Sequence, residues 1–235
     1  MNKESEEVIR LSYKHKWSHI PSALSMYSYI SALFDNNLID VNNCNVVVGK
    51  PHGSQAYYIA WKRAGLIKTY KNLTTSLKYG EIPFVDYTID ILGDALGVGA
   101  GISYHNDKMT WVNIGDGALQ MGNTLEAIMT IGHKKINNLI LTIDYNNAQR
   151  CGSTDSILNV DPVIDFMRQY NWDVHVVDGH DKLKILSMWH KRDTTKPTAY
   201  IYNTIKGYGC NLMINNIMEW HYKTLDEKDL RQIFS

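Results

Sequence analysis

What the 235-residue chain lacks narrows the field first. Its 24 basic and 24 acidic residues cancel, so no charge excess draws it to nucleic acid or to an anionic membrane. No apolar run approaches the roughly 18 residues of a membrane span. The opening MNKESEEVIR is charged and polar, unlike a signal peptide. Cysteine is scarce: Cys44, Cys151 and Cys210 are scattered, odd in number and form no Cys-x-x-Cys pair. Such spacing offers no disulfide framework and fits reduced thiols in a cytoplasmic protein. No internal repeat, low-complexity segment or Pro/Gly/Ser-rich linker divides the chain. With 44% apolar residues, a chain of this length builds one sizeable core.

What is present is an alternation of short β-branched runs with amphipathic ones. The pattern predicts helices over 22–33, 55–64, 119–131, 162–170, 181–191 and 226–234. It predicts strands over 45–48, 110–114, 139–143, 173–177 and 198–203. Leu24, Tyr27, Ile30 and Ala32 fall near one face of the first helix. Gly65 is placed to end the second, and Asp161 and Asp181 to cap two later ones. Leu92 to Ser103 reads as a further helix, rich in glycine and alanine, which lets another backbone approach closely. Strands alternating with helices of this length imply parallel strands joined by right-handed crossovers. The expected fold is a three-layer α/β/α domain with a mostly parallel central sheet, where ligands bind at the carboxyl ends of the strands.

One such end reads VNIGDGALQMGN, Val112 to Asn123. Gly115 and Gly117 allow a tight turn around Asp116 and let a ligand touch the backbone. A helix that follows at once offers free N–H groups to a phosphate. A lone carboxylate there repels phosphate unless a divalent cation lies between them. Magnesium takes hard oxygens, few from protein and the rest from phosphate and water. Asn146 ends the next strand, in LTIDYNNAQ. Adjacent parallel strands lie about 4.8 Å apart, so both side chains can reach one ion. Either motif alone is a common turn or loop; their pairing on successive strands is more specific.

This pair resembles the diphosphate-binding motif of thiamine diphosphate enzymes, and GDGALQMGNTLEAI resembles its transketolase form. The resemblance implies that Asp116 and Asn146 ligate Mg²⁺ by side chain and Ala148 by its carbonyl. Gly117 would give its N–H to the diphosphate, beside Gly115 and Ala118. SHIPSALSMYSYISALF and GKPHGSQAYY are similar to the family's two histidine segments, which places His19 and His52 at the substrate. DILGDALGVGAG is similar to the loop in which Leu92 and Gly93 would line the thiamine. IKGYGCNLMINNIMEWHYK puts His221 near diphosphate and substrate. WDVHVVDGHD matches a further family segment, with His180 read as part of a loop packed beside the site. Histidine suits proton movement on substrate hydroxyls at neutral pH. Glu126 is read as a polar contact at a subunit interface.

The sequence departs from the family at Met121, Asp90, Asp94, Pro21, Ser22, Pro51 and Tyr222. Several of these fall on the substrate side, which points to an altered donor or acceptor. The resemblance covers a single diphosphate-binding domain over residues 1–235. The pyrimidine-binding and C-terminal domains are expected on a separate chain, the C-terminal subunit of a split transketolase, in an α2β2 assembly. The implied reaction moves a two-carbon ketol unit from a ketose or ketose phosphate to an aldehyde. The alternatives are an alpha-type subunit of a 2-oxo acid dehydrogenase or decarboxylase, which would lack the three histidines, and a non-catalytic binding paralogue. A dinucleotide-binding domain lacks support, since no G-x-G-x-x-G follows a first strand.

Overall fold

A computed structural model describes residues 2–234. Six strands form one sheet: β1 (Cys44–Val48), β2 (Tyr87–Thr88), β3 (Met109–Gly115), β4 (Leu139–Tyr145), β5 (Asp173–Asp178) and β6 (Thr198–Asn203). Their order is β2-β1-β3-β4-β6-β5, and every pairing is parallel. The helices are α1 (Lys3–His15), α2 (Ile20–Asp35), α3 (Gln55–Arg63), α4 (Asp94–Tyr104), α5 (Gly122–Lys134), α6 (Thr154–Ile157), α7 (Asp161–Gln169), α8 (Lys182–Trp189), α9 (Asn211–Ile214), α10 (Ile217–Trp220) and α11 (Glu227–Phe234).

Alternation along the strands builds two cores, because successive side chains point to opposite faces. Val46, Val48, Trp111, Ile140, Tyr200 and Tyr202 pack under α1, α2 and α3. Val47, Val112, Ile114, Leu141, Ile143 and Ile201 pack under α4, α5 and α7. Both faces are covered, as a parallel sheet requires, and the expected three layers are present.

Local boundaries differ from the sequence reading in informative places. Helix α2 runs two residues further at each end and is buried on all sides from Ile20 to Phe34. Its polar side is a stripe of buried serines, Ser22, Ser25, Ser28 and Ser31, at every third position. Asp161 lies inside α7 rather than capping it, and Val160 is the cap residue. The Asp161 carboxylate is taken by the Tyr145 hydroxyl instead. Asp181 does cap α8, accepting the Lys184 N–H. The turn after β3 is a 3-10 turn, Asp116–Gln120, and α5 begins only at Gly122. A bound anion at Asp116 would therefore meet tightened turn amides before it meets α5.

Candidate active site

Four neighbouring strands, β1, β3, β4 and β6, end at one cleft of about 400 Å³. Gly49 and Lys50 follow β1, Gly115 and Asp116 close β3, Asn146 and Ala148 follow β4, and Lys206 follows β6. The site thus lies at the strands' carboxyl ends, where open parallel sheets bind ligands.

At the floor, Asp116 is 4% exposed. Its Oδ2 accepts the backbone N–H groups of Asn147 at 2.7 Å and Asn146 at 3.1 Å. Burial, and then the charge of nearby Asp144, push its carboxyl above the ordinary value. A cation beside it would relieve both. Asn146 spends its Nδ2 on Ser25 Oγ and Asp144 Oδ2, at 3.1 and 2.8 Å, while its Oδ1 accepts the Ala148 N–H at 3.0 Å and has a second lone pair to offer. The Ala148 carbonyl accepts from Lys206 Nζ at 2.8 Å. A carboxylate, an amide oxygen and a carbonyl on adjoining strand ends are an all-oxygen set, the chemistry Mg²⁺ prefers. These residues fit the cation and a diphosphate. Among the described residues, no cluster of three acidic, histidine or cysteine side chains offers an alternative metal site.

Asp144 organises this floor, and sequence reasoning passed over it. It is fully buried at the end of β4 and ion-paired with Lys50. Ser25 Oγ donates to it at 2.8 Å and Thr204 Oγ1 at 2.5 Å. Burial alone would raise its carboxyl; Lys50 and the hydroxyls hold it below the usual value. Lys206 was missed as well. Burial, then the neighbouring charge of Lys50, lowers its ammonium to about 8. His180 sets the loop that carries it. Its Nε2 accepts the Ile205 N–H at 2.9 Å, and its ring stacks on Tyr208 at 3.5 Å. The signal for the two lysines lay in GKPHG and IKGYG, next to residues that were singled out.

Above the floor stand the three histidines. The His19 ring lies 5.5 Å from that of His52 and 5.5 Å from that of His221. They come from the start of α2, the turn after β1 and the end of α10. His19 occupies the left-handed region, with φ 55°. Gly53, with φ +79°, presses on α2, since a Cβ there would lie 2.8 Å from the Ala23 nitrogen. That contact brings His52 to His19.

Burial lowers His19 to about 4, helped by the charges of His52, His221 and Lys206. Burial and Lys206 do the same for His221, also to about 4. Burial lowers His52 too. All three are neutral imidazoles at neutral pH. Their tautomers follow from their partners. Asp90 Oδ1 lies 3.8 Å from His52 Nδ1, beyond hydrogen-bond reach, but its charge favours a proton on that nitrogen and a free lone pair on Nε2. Lys206 Nζ faces His221 Nδ1 at 3.5 Å, so that nitrogen accepts and Nε2 carries the proton. One imidazole is poised to take a proton and another to donate a hydrogen bond.

Leu92, Gly115 and Gly117 also line the cleft. Two residues expected there do not. Gly93 borders the neighbouring groove between α4 and α5, pressed on Asn123 and Met121. The Ala118 side chain points into the core beneath α5. Among the departures, Asp90, Ser22 and Tyr222 face the cleft, whereas Asp94 bonds to Asn123 outside it. Glu126 is exposed in the α4–α5 groove.

The sequence matches the transketolase thiamine diphosphate binding domain over residues 100–234. It is 28% identical to one of the subunits of the apulose-4-phosphate transketolase of Phocaeicola vulgatus, covering 94% of this chain and 86% of that one. It is also 28% identical to the 6-deoxy-6-sulfo-D-fructose transketolase subunit SqwG of a Clostridium species, over 89% and 84% of the two chains. The fold superimposes on transketolase from Leishmania mexicana with a TM-score of 0.72 at 19% identity, and on that from Campylobacter jejuni with 0.67 at 18%. The chain spans 44% and 42% of the length of those two structures. With the family match covering more than half of its residues, the chain belongs to the transketolase thiamine diphosphate binding domain family.

Proposed function

We propose that this chain is the diphosphate-binding subunit of a two-subunit transketolase, which moves a two-carbon ketol unit from a ketose to an aldehyde. The observation that carries this reading is the convergence of His19, His52 and His221 over the Asp116, Asn146 and Ala148 floor in one cleft. Asp116, Asn146 and the Ala148 carbonyl would hold Mg²⁺, and the Gly117 N–H, Lys50 and Lys206 would face the diphosphate. When bound, thiamine diphosphate supplies the carbanion chemistry that no side chain offers.

The chain's own residues move protons and orient substrate. His52, bare at Nε2, accepts a proton from a substrate hydroxyl. His221 donates from Nε2 to a substrate oxygen that gains charge. His19, with Nδ1 held 3.0 Å from Ser18 Oγ, keeps Nε2 for a further hydroxyl. Three neutral imidazoles suit a polyhydroxylated sugar better than a 2-oxo acid, which favours ketol transfer over 2-oxo acid decarboxylation.

The named relatives are subunits and match this chain along most of their length. That supports a partner chain that completes the cofactor site; two copies of each in the cytoplasm is the assembly we infer. Both named relatives act on sugars carrying an acidic group, which supports an anionic sugar as substrate here. Among the described residues no helix is long and apolar enough to cross a membrane. The test is to incubate the chain, its partner, thiamine diphosphate and Mg²⁺ with a ketose donor and glycolaldehyde. Transfer of a two-carbon unit is expected. Decarboxylation of 2-oxo acids without ketol transfer contradicts the reading.

A further inference from the structure

Asp144 is a second buried carboxylate beside Asp116, and the transfer of a ketol unit gives it no task. Its hydrogen bonds define what it can do. Ser25 Oγ donates to Oδ1 at 2.8 Å and Thr204 Oγ1 to the same oxygen at 2.5 Å. Lys50 Nζ pairs with Oδ2, and Asn146 Nδ2 donates to it at 2.8 Å. A carboxylate offers about four lone-pair sites, and these donors fill them. Asp144 is also fully buried. It has no oxygen left for a cation, although its side chain touches that of Asn146.

The same bonds set the polarity of the Asn146 amide. The two ends of an amide have nearly the same shape but opposite hydrogen-bonding character. Ser25 has a single hydroxyl hydrogen, and it goes to Asp144. The Ser25 oxygen therefore accepts from Asn146 Nδ2, at 3.1 Å. Asp144 Oδ2 can only accept. Nδ2 is drawn to this side, and Oδ1 is left on the side of Ala148, whose N–H it accepts at 3.0 Å. Turned over, the amide would press its oxygen on a carboxylate and offer hydrogens where a cation needs an oxygen. A neutral group at position 144 would also release Ser25 to turn its hydrogen toward Asn146.

We propose that Asp144 is a positioning residue of the metal floor: it orients Asn146 so that the amide oxygen meets Mg²⁺, while its own filled oxygens keep it off the ion. This rests on the reading of Asp116, Asn146 and Ala148 as the protein ligands. A rule of charge follows. A carboxylate belongs at position 144 or at position 146 but not at both, because the Asn146 Nδ2 hydrogen is what lets the two side chains touch.

The test titrates thiamine diphosphate into the assembled two-subunit enzyme at a series of Mg²⁺ concentrations, followed by calorimetry. Asn146→Asp adds ligand charge, which by itself strengthens cation binding. Here it is expected to weaken Mg²⁺ affinity by roughly tenfold or more, since two carboxylates then face each other with no hydrogen between them. Asp144→Asn is expected to weaken it roughly 10- to 100-fold, the range for loss of a group that orients a metal ligand. The exchange variant, Asp144→Asn with Asn146→Asp, again sets one amide against one carboxylate. It is expected to bind Mg²⁺ roughly tenfold more tightly than Asn146→Asp. It also keeps the total charge beside Lys50, so an effect of the lysine alone cancels. A purely structural role for Asp144 gives no such recovery, because the two losses would then add. Urea unfolding without cofactor reports separately on the fold. Should the exchange variant fail to fold, Asn146→Asp alone decides by the direction of its change. Mg²⁺ affinity at or above the wild-type level in Asn146→Asp overturns the positioning role, and so does a folded exchange variant that binds no better than Asn146→Asp. A wild-type enzyme that binds thiamine diphosphate equally well without Mg²⁺ overturns the metal floor itself, and the positioning role with it.

Discussion

At the scale of single residues, the cleft is an arrangement of charges that hold one another in place. Lys50→Met would leave Asp144 buried without its countercharge. Unfolding in urea should show a loss of about 3–5 kcal/mol, as when one partner of a buried pair is removed; a loss below about 1 kcal/mol contradicts the role given to the pair. His19 stands in the left-handed region that asparagine tolerates better than most residues. His19→Asn should therefore keep the fold, while ketol transfer falls by about 10²-fold or more, the scale of a lost acid–base group. The histidines also give stability a pH dependence. His19 and His221 are lowered to about 4, so between about 4 and 6.5 the unfolded chain binds more protons than the folded one. Stability should fall as pH drops through that window, and a His19→Asn, His221→Asn double variant should flatten the fall in thermal melts. An unchanged slope contradicts neutral, half-buried imidazoles. The histidines, Asp116 and Asn146 were legible in the sequence because their motifs are local. Asp144 was not: its partners, Ser25, Lys50 and Thr204, are distant in sequence and meet only in the folded sheet.

At the scale of elements, five of the six strands were the easiest to read, since β-branched runs buried on both faces have few other solutions, whereas β2, two residues long, was missed. Helix α2 was harder. Its sequence shows one apolar face, yet the serine stripe is buried too, against Asp144 and His180. Composition alone does not separate a solvated polar face from one packed on a functional floor. The 3-10 turn after Asp116 was read as helix because its residues suit either geometry. Asp161 has the chemistry of a cap but is diverted by Tyr145, a contact between separate elements. Gly53 is the hinge between two elements of the site: its φ of +79° and its contact with α2 hold His52 against His19. Gly53→Ala should cost about 1–3 kcal/mol through strain at that backbone geometry. It should also lower ketol transfer more than Gly65→Ala, which has a similar φ of +75° but open space around it. Equal effects of the two variants on activity contradict the hinge.

At the scale of the whole molecule, a parallel sheet places four strand ends around one cleft, and residues from His19 to Tyr222 meet there. The fold class was readable from the alternation of strands and helices, and the family from the Gly-Asp-Gly turn and its distant asparagine. Asp90 was singled out as a departure, whereas Arg150 was passed over, because no local motif marks it and only the fold brings the two loops to one cleft. The measurement closest to the central claim is calorimetric titration of thiamine diphosphate into the assembled two-subunit enzyme, with and without Mg²⁺, for wild type and Asp116→Asn. Binding should require Mg²⁺ and should weaken by about tenfold or more in the variant, which lacks the carboxylate proposed to hold the ion. Equal affinity with the metal chelated, or an Asp116→Asn enzyme that binds as tightly as wild type, would contradict the account.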